Sequence, residues 1–197
     1  MLPSAVIFDL DGTLFTLNTD WKLLKKKLSH FSEKYNFHSA FTPINLEVEK
    51  FTVFLLGTFD RKNVKSIKSD LYKIIEREEL KGVTSGKEID GATILFKTLQ
   101  SKNIKIGIVS SNSKKTINKV VKKMNWDVNV IIGREDTSTP KPDSEGVNKC
   151  LKIMNLTPKK CWAVGNKKED IDAYKRSKIR KIFFLGKDIK KLSQIYE

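Results

Sequence analysis

Ala5-Val6-Ile7-Phe8-Asp9-Leu10-Asp11-Gly12-Thr13 decides how the rest of the chain is read. Four apolar residues in a row, without polar alternation, describe a short strand buried on both faces, as in the middle of a parallel sheet. Two carboxylates follow at once, two residues apart, so in extended backbone both side chains point the same way. One of them could attack phosphorus while the other carries a proton. Gly12 then permits a tight turn.

Four further apolar runs are also of strand length and read as continuous rather than alternating: Ile104 to Val109, Val128 to Ile132, Cys161 to Val164 and Ile182 to Leu185. Between them lie stretches with apolar residues at helical spacing among lysines, at Ile89 to Gln100, Lys114 to Met124 and Ser144 to Met154. The pattern predicts an α/β fold, a Rossmann-like parallel five-stranded sheet with helices on both faces. Between Thr16 and about Gly86 no buried strand is evident. Helical periodicity runs from Thr19 through Trp21, Leu24, Leu28, Phe31 and Tyr35, begins again near Pro43, and again from Asp60 through Val64, Ile67, Leu71, Ile74 and Ile75. A small helical cap inserted after the first strand is expected at 16–86, with the core domain at 1–15 and 87–197. Gly82, Ser85 and Gly86 mark the return hinge, and Trp21, Phe31 and Phe54 read as the cap's own core.

Ligands of open parallel sheets collect beyond the carboxyl ends of the strands, so the residues that follow each run are the ones to inspect. The first run ends in Asp9 and Asp11, the second in Ser110, Ser111 and Asn112, and the fourth in Gly165, Asn166 and then Asp170, while Lys141 follows the third. Acidic, hydroxyl and cationic groups thus converge on one sheet edge, as phosphoryl transfer with a divalent metal requires. Each has a plainer reading when taken singly: Ser110 could cap the next helix, Lys141 could be a surface lysine, and Asp170 could favour a helix start.

The order of these motifs resembles the four signatures of the haloacid dehalogenase superfamily of phosphatases. Asp9-Leu10-Asp11-Gly12-Thr13-Leu14 is similar to the first, Val109-Ser110-Ser111-Asn112 to the second, Lys141-Pro142-Asp143 to the third, and Gly165-Asn166 through Asp170-Ile171-Asp172 to the fourth. Val130-Ile131-Ile132-Gly133-Arg134-Glu135-Asp136 leading into Lys141-Pro142-Asp143 looks closest to the phosphoglycolate phosphatase-like branch. The resemblance implies a hydrolase of small phosphate monoesters in which Asp9 is the nucleophile and Asp11 the acid and then the base. Ser110, the Ser111 amide and Lys141 would hold phosphate oxygens. Mg2+ would be held by the Asp9 carboxylate, the Asp11 carbonyl and Asp170. Asn166 stands where the family commonly has Asp, so a metal contact there would come from an amide oxygen without charge. A phosphomutase or phosphotransferase would share these residues; free phosphate as product, rather than an isomer, would distinguish the hydrolase.

Composition narrows the alternatives. With 39% hydrophobic and 31% charged residues the chain is expected to be globular, and its 197 residues fit one domain carrying an insertion. Asp9 and Asp11 interrupt the apolar N-terminal stretch, which lacks a basic leader, so neither a secretory signal nor a membrane span is expected, and a cytoplasmic location follows. Cys150 and Cys161 read as buried thiols rather than a disulfide framework. His30 and His38 lie in a Lys-rich helical stretch and read as surface residues. The net charge of +15 would draw in phosphate-bearing partners. A basic module binding nucleic acid is the competing class, but no base-stacking aromatics are interleaved with the lysines. Lys25, Lys26 and Lys27 read as a solvated helix face.

Overall fold

In the computed structural model, which describes residues 2–35 and 61–196, the apolar N-terminal run is the middle strand of the sheet. Strand β1 (Ala5–Phe8) pairs in parallel with β4 (Lys105–Val109) on one side and β6 (Cys161–Gly165) on the other. The outer strands β5 (Val130–Ile132) and β7 (Lys181–Phe184) complete the order β5-β4-β1-β6-β7. All five expected strands are present, each shifted by no more than two residues. Side-chain alternation along β1 feeds two cores, as a strand covered on both faces must. Val6 and Phe8 pack with Leu95, Phe96 and Leu99 of α3 (Ala92–Ser101) and Ile117 and Val120 of α4 (Lys114–Met124). Ala5 and Ile7 pack with Val147, Cys150 and Leu151 of α5 (Glu145–Met154) and Ile171 and Tyr174 of α6 (Lys168–Arg176).

The insertion leaves and re-enters through a two-stranded antiparallel ribbon, β2 (Phe15–Thr16) against β3 (Lys87–Glu88), which the sequence reading did not anticipate. Gly86 makes this closeness possible: a Cβ there would lie 2.5 Å from both the Phe15 ring and the Thr16 carbonyl oxygen. Helix α1 (Trp21–Lys34) starts where Asp20 Oδ1 accepts the Leu23 N–H at 2.8 Å, an N-cap. It buries Leu24, Leu28 and Phe31 against Ile67, Leu71 and Ile75 of α2 (Arg61–Ser85). The segment expected near Pro43 lies outside the described residues, as do Phe54 and His38. His30 is exposed beside Glu33, as expected of a surface histidine.

Helix α2 runs ten residues beyond the apolar periodicity that predicts it. Gly82, read as part of the return hinge, lies inside the helix, where a Cβ would meet the outgoing chain, 2.9 Å from Thr19 Oγ1 and 3.0 Å from Thr19 N. The last turns leave α1 behind: Val83 joins the main core, and the Lys123 ammonium of α4 donates to the carbonyls of Val83 (2.8 Å), Thr84 (3.0 Å) and Gly86 (2.8 Å). A cation on orphan carbonyls at a helix C-terminus is a favourable end. Trp21 corrects a second expectation, because it is 57% exposed rather than part of a cap core. It stands at the first turn of α1, outside the cluster that Leu24, Leu28 and Phe31 form with α2.

Candidate active site

Asp9 emerges from β1 with its N–H on the Val164 carbonyl at 3.0 Å, and its side chain turns into a buried cluster at the carboxyl edge of the sheet. Lys141, from the loop after β5, donates its ammonium to Asp9 Oδ1 at 2.8 Å and also contacts Asp170 Oδ1. Asp170 is 1% exposed in the first turn of α6, and its other oxygen accepts the Lys167 N–H at 3.0 Å. It therefore both caps its helix and faces the cluster. Two carboxylates share one ammonium, leaving one net negative charge out of water. Burial raises the Asp9 pKa to about 6, opposed by the Lys141 charge and reinforced by that of Asp170. For Lys141 burial alone would favour the neutral amine, but the two carboxylates override it and hold the pKa above the ordinary lysine range.

Asp11 sits beside this cluster with Oδ1 accepting the Leu17 N–H at 2.9 Å, and burial raises its pKa while that hydrogen bond opposes the rise. Gly12 has φ +84°, and a Cβ on it would lie 2.2 Å from the Asn166 amide nitrogen, so the turn needs glycine twice over. Asn166 packs on that turn and accepts the Thr13 hydroxyl at 3.1 Å. Ser110 is buried at the end of β4; its hydroxyl donates to Asn112 Oδ1 at 2.9 Å and accepts the Asn112 N–H at 3.3 Å. It does not cap α4, because Ser113 does so by accepting the Thr116 N–H at 3.1 Å.

A cavity of about 230 Å³ opens over these groups. Asp9, Asp11, Ser110, Ser111, Lys141 and Asp170 all line it, so the structure brings six of the seven residues singled out in the sequence to one cavity. Asn166 is not among the lining residues. Leu17, Trp21, Leu24 and Ile75 form an apolar wall from the insertion and its linker, and Lys167 is an exposed cation at the rim. The sequence reading also missed Glu79 and Arg134, which line the cavity as a buried ion pair with Arg134 Nη1 3.0 Å from Glu79 Oε1. Arg134 stood in plain view in the stretch that leads into the third signature, but nothing in the sequence linked it to a glutamate in α2.

The donor set can be tested for a divalent cation. Asp9 and Asp170 are hard oxygen ligands in excess of their ammonium, and the Asp11 carbonyl lies on the same turn. Magnesium takes this kind of sparse set, one or two carboxylates completed by water and phosphate oxygens. The residues fit, even though no group of three or more His, Cys, Asp or Glu side chains poised to hold a metal occurs among the described residues.

The chain is similar to known proteins. The family of haloacid dehalogenase-like hydrolases matches residues 6–184. Pyrophosphatase PpaX of Listeria monocytogenes is 28% identical over 178 residues, covering 88% of this chain and 79% of that protein. A haloacid dehalogenase-like hydrolase from Bacteroides fragilis superposes with a TM-score of 0.68 at 17% identity, over 98% of this chain and 99% of the other. A Lactobacillus plantarum protein assigned as a phosphoglycolate phosphatase does so with a TM-score of 0.64 at 18% identity, over 96% and 90%. Sheet order, motif order and the family match agree, and the chain belongs to the haloacid dehalogenase-like hydrolases.

Proposed function

We propose that this hydrolase is a magnesium-dependent phosphatase that splits a small phosphorylated compound by way of an aspartyl phosphate on Asp9. The observation that carries this reading is the buried Asp9–Lys141–Asp170 cluster with Asp11 beside it, at the strand ends where a parallel sheet receives its ligand. An Asp9 oxygen attacks phosphorus, and the bond from phosphorus to the leaving oxygen breaks. Asp11, whose pKa burial raises, is suited to deliver the proton that the leaving oxygen needs. It then takes a proton from water as that water attacks the aspartyl phosphate, which frees inorganic phosphate and restores Asp9.

Lys141 offsets the repulsion between an anionic nucleophile and an anionic substrate. The Ser110 hydroxyl and the Ser111 amide lie on the same loop, placed to receive the other phosphate oxygens. Bound to the Asp9 and Asp170 carboxylates and the Asp11 carbonyl, magnesium would neutralise charge that develops on the transferred group. The cavity suits a small leaving group held against the apolar wall at Trp21, Leu24 and Ile75. Pyrophosphate and phosphoglycolate, after which the similar proteins are named, are the first compounds to try.

The test is phosphate release from a panel of phosphate monoesters and pyrophosphate, with magnesium and with chelator. Magnesium-dependent release that disappears in Asp9→Asn is expected. Release that persists in that variant would remove Asp9 as the nucleophile.

A further inference from the structure

We infer that Glu79 and Arg134 are positioning residues that set the phosphate-binding loop 110–113 from helix α2; this rests on reading that loop as the holder of substrate phosphate. Glu79, 5% exposed, accepts from five donors. Oε1 takes Arg134 Nη1 at 3.0 Å and Asn112 Nδ2 at 3.1 Å. Oε2 takes the Ser113 N–H at 3.1 Å, the Thr116 hydroxyl at 3.0 Å and Arg134 Nη2 at 3.3 Å. A carboxylate has about four acceptor sites, so Glu79 is saturated and has none to offer a ligand.

Arg134 is committed through its two terminal nitrogens, while its buried Nε has no hydrogen-bond partner among the described residues. Its Nη1 also donates to the Ser111 carbonyl at 2.9 Å, its backbone N–H to the Asn112 carbonyl at 2.9 Å, and its guanidinium lies 4.8 Å from the centre of the Tyr72 ring. The peptide unit is planar, so holding the Ser111 and Asn112 carbonyls fixes the N–H groups of Asn112 and Ser113 as well. The Asn112 amide then passes the constraint to the Ser110 hydroxyl, to which it is bonded through Oδ1. The side-chain bonds that reach Ser111, Asn112 and Ser113 from outside the loop thus lead back to one carboxylate on α2. A buried pair of this kind gains little stability over apolar packing of similar volume, which leaves the geometry it imposes as its contribution.

The experiment compares wild type with Glu79→Gln, Arg134→Met, the double variant and Thr116→Val. It measures the inhibition constant of inorganic phosphate, kcat and KM for p-nitrophenyl phosphate and for pyrophosphate, and the melting temperature. Glu79→Gln and Arg134→Met are expected to weaken phosphate inhibition and lower kcat/KM on the order of 10- to 100-fold, as small displacements of donors do. The loss should be the same for both substrates, and the double variant should be no worse than either single one, since the two groups act as a unit. Thr116→Val removes one bond to Glu79 and the 2.9 Å contact with the Ser113 hydroxyl in a side chain of nearly the same shape; it should remain folded and lose phosphate affinity a few-fold.

A lowered melting temperature with unchanged phosphate inhibition in folded variants would reduce the pair to a structural role and overturn the inference. A loss that differs between the two substrates would overturn it as well, by making Arg134 a contact for the leaving group. If the wild type releases no phosphate, or Asp9→Asn releases as much, the phosphatase reading falls first, and that is seen before any Glu79 variant is measured.

Discussion

Two buried ion clusters line the same cavity and are built to opposite ends. At Asp9–Lys141–Asp170 two carboxylates compete for one ammonium, and burial pushes Asp9 up to about 6. At Glu79–Arg134 one carboxylate meets one guanidinium, and neutral donors from Asn112, Ser113 and Thr116 complete it. The first cluster carries an excess of negative charge, which is what the proposed metal and phosphoryl transfer would call on. The second is balanced in charge, and its carboxylate has no acceptor site to spare. Similar chemical groups yield a reactive centre or a fixed support according to whether their charge and hydrogen-bonding capacity are left open or used up.

Breaking the open cluster should have the largest effect on chemistry. Asp9→Asn is expected to lower kcat on the order of 10⁴-fold or more, as loss of a nucleophile does elsewhere, measured as phosphate release. Its effect on stability should run the other way. A folded-state pKa raised from 3.8 to about 6 means that the folded protein holds the Asp9 proton more tightly than the unfolded chain. That contribution is fully present below pH 3.8 and is lost as pH rises through about 6. In chelator the wild type should therefore lose stability across this window, by no more than roughly 3 kcal/mol, and Asp9→Asn should show a flatter profile and a higher melting temperature at pH 7. An equally steep profile in the variant would mean that Asp9 is not the strained group.

The closed cluster should respond in the opposite sense. Glu79→Ala strands Arg134 without its counter-charge and is expected to destabilise the protein by about 3–5 kcal/mol, read from denaturant unfolding. A cost below about 1 kcal/mol would show that the pair is not closed in solution. A smaller effect is expected from Asn166→Asp, which adds a carboxylate beside a cluster already in negative excess. Magnesium binding by calorimetry should tighten only a few-fold, because position 166 is held against Gly12 and Thr13 and lies outside the lining of the cavity. A large gain would place it in the metal's coordination. Smallest of all, Lys25→Glu with Lys26→Glu should change kcat/KM by less than about twofold, since both are exposed on α1, as surface changes away from a site generally do. Lys27 does not belong with them, because its ammonium lies 2.6 Å from the buried Glu78 carboxylate.

The open cluster was legible in the sequence and the closed one was not. Asp9, Ser110 and Asp170 each follow or closely trail a continuous apolar run, and a parallel sheet delivers such positions to one edge whatever the loops do. Glu79 has no such address: it lies in a polar stretch, Glu76-Arg77-Glu78-Glu79, whose four charged residues look alike until the tertiary fold selects one. Gly82 concealed the rest of α2 by appearing to end it, because a glycine needed for close approach reads locally like a breaker. Trp21 misled for the converse reason. It continues the apolar period of Leu24, Leu28 and Phe31, but it stands outside the cluster they form and lines the cavity, and periodicity does not report which apolar residue faces a site.

The position of β1 also bears on how the molecule is made. Ala5 pairs with Lys105 on one side and with Cys161 on the other, so the strand that carries Asp9 has both edges bare until segments far along the chain have been synthesised. Contacts this distant in sequence form slowly, and an unpaired, wholly apolar strand is a template for pairing with the wrong neighbour. The nascent chain therefore exposes this apolar stretch long before it can be covered. Asp9 and Asp11 end that stretch with two negative charges, so the residues proposed for catalysis also form the kind of charged flank that disfavours self-association of an apolar strand.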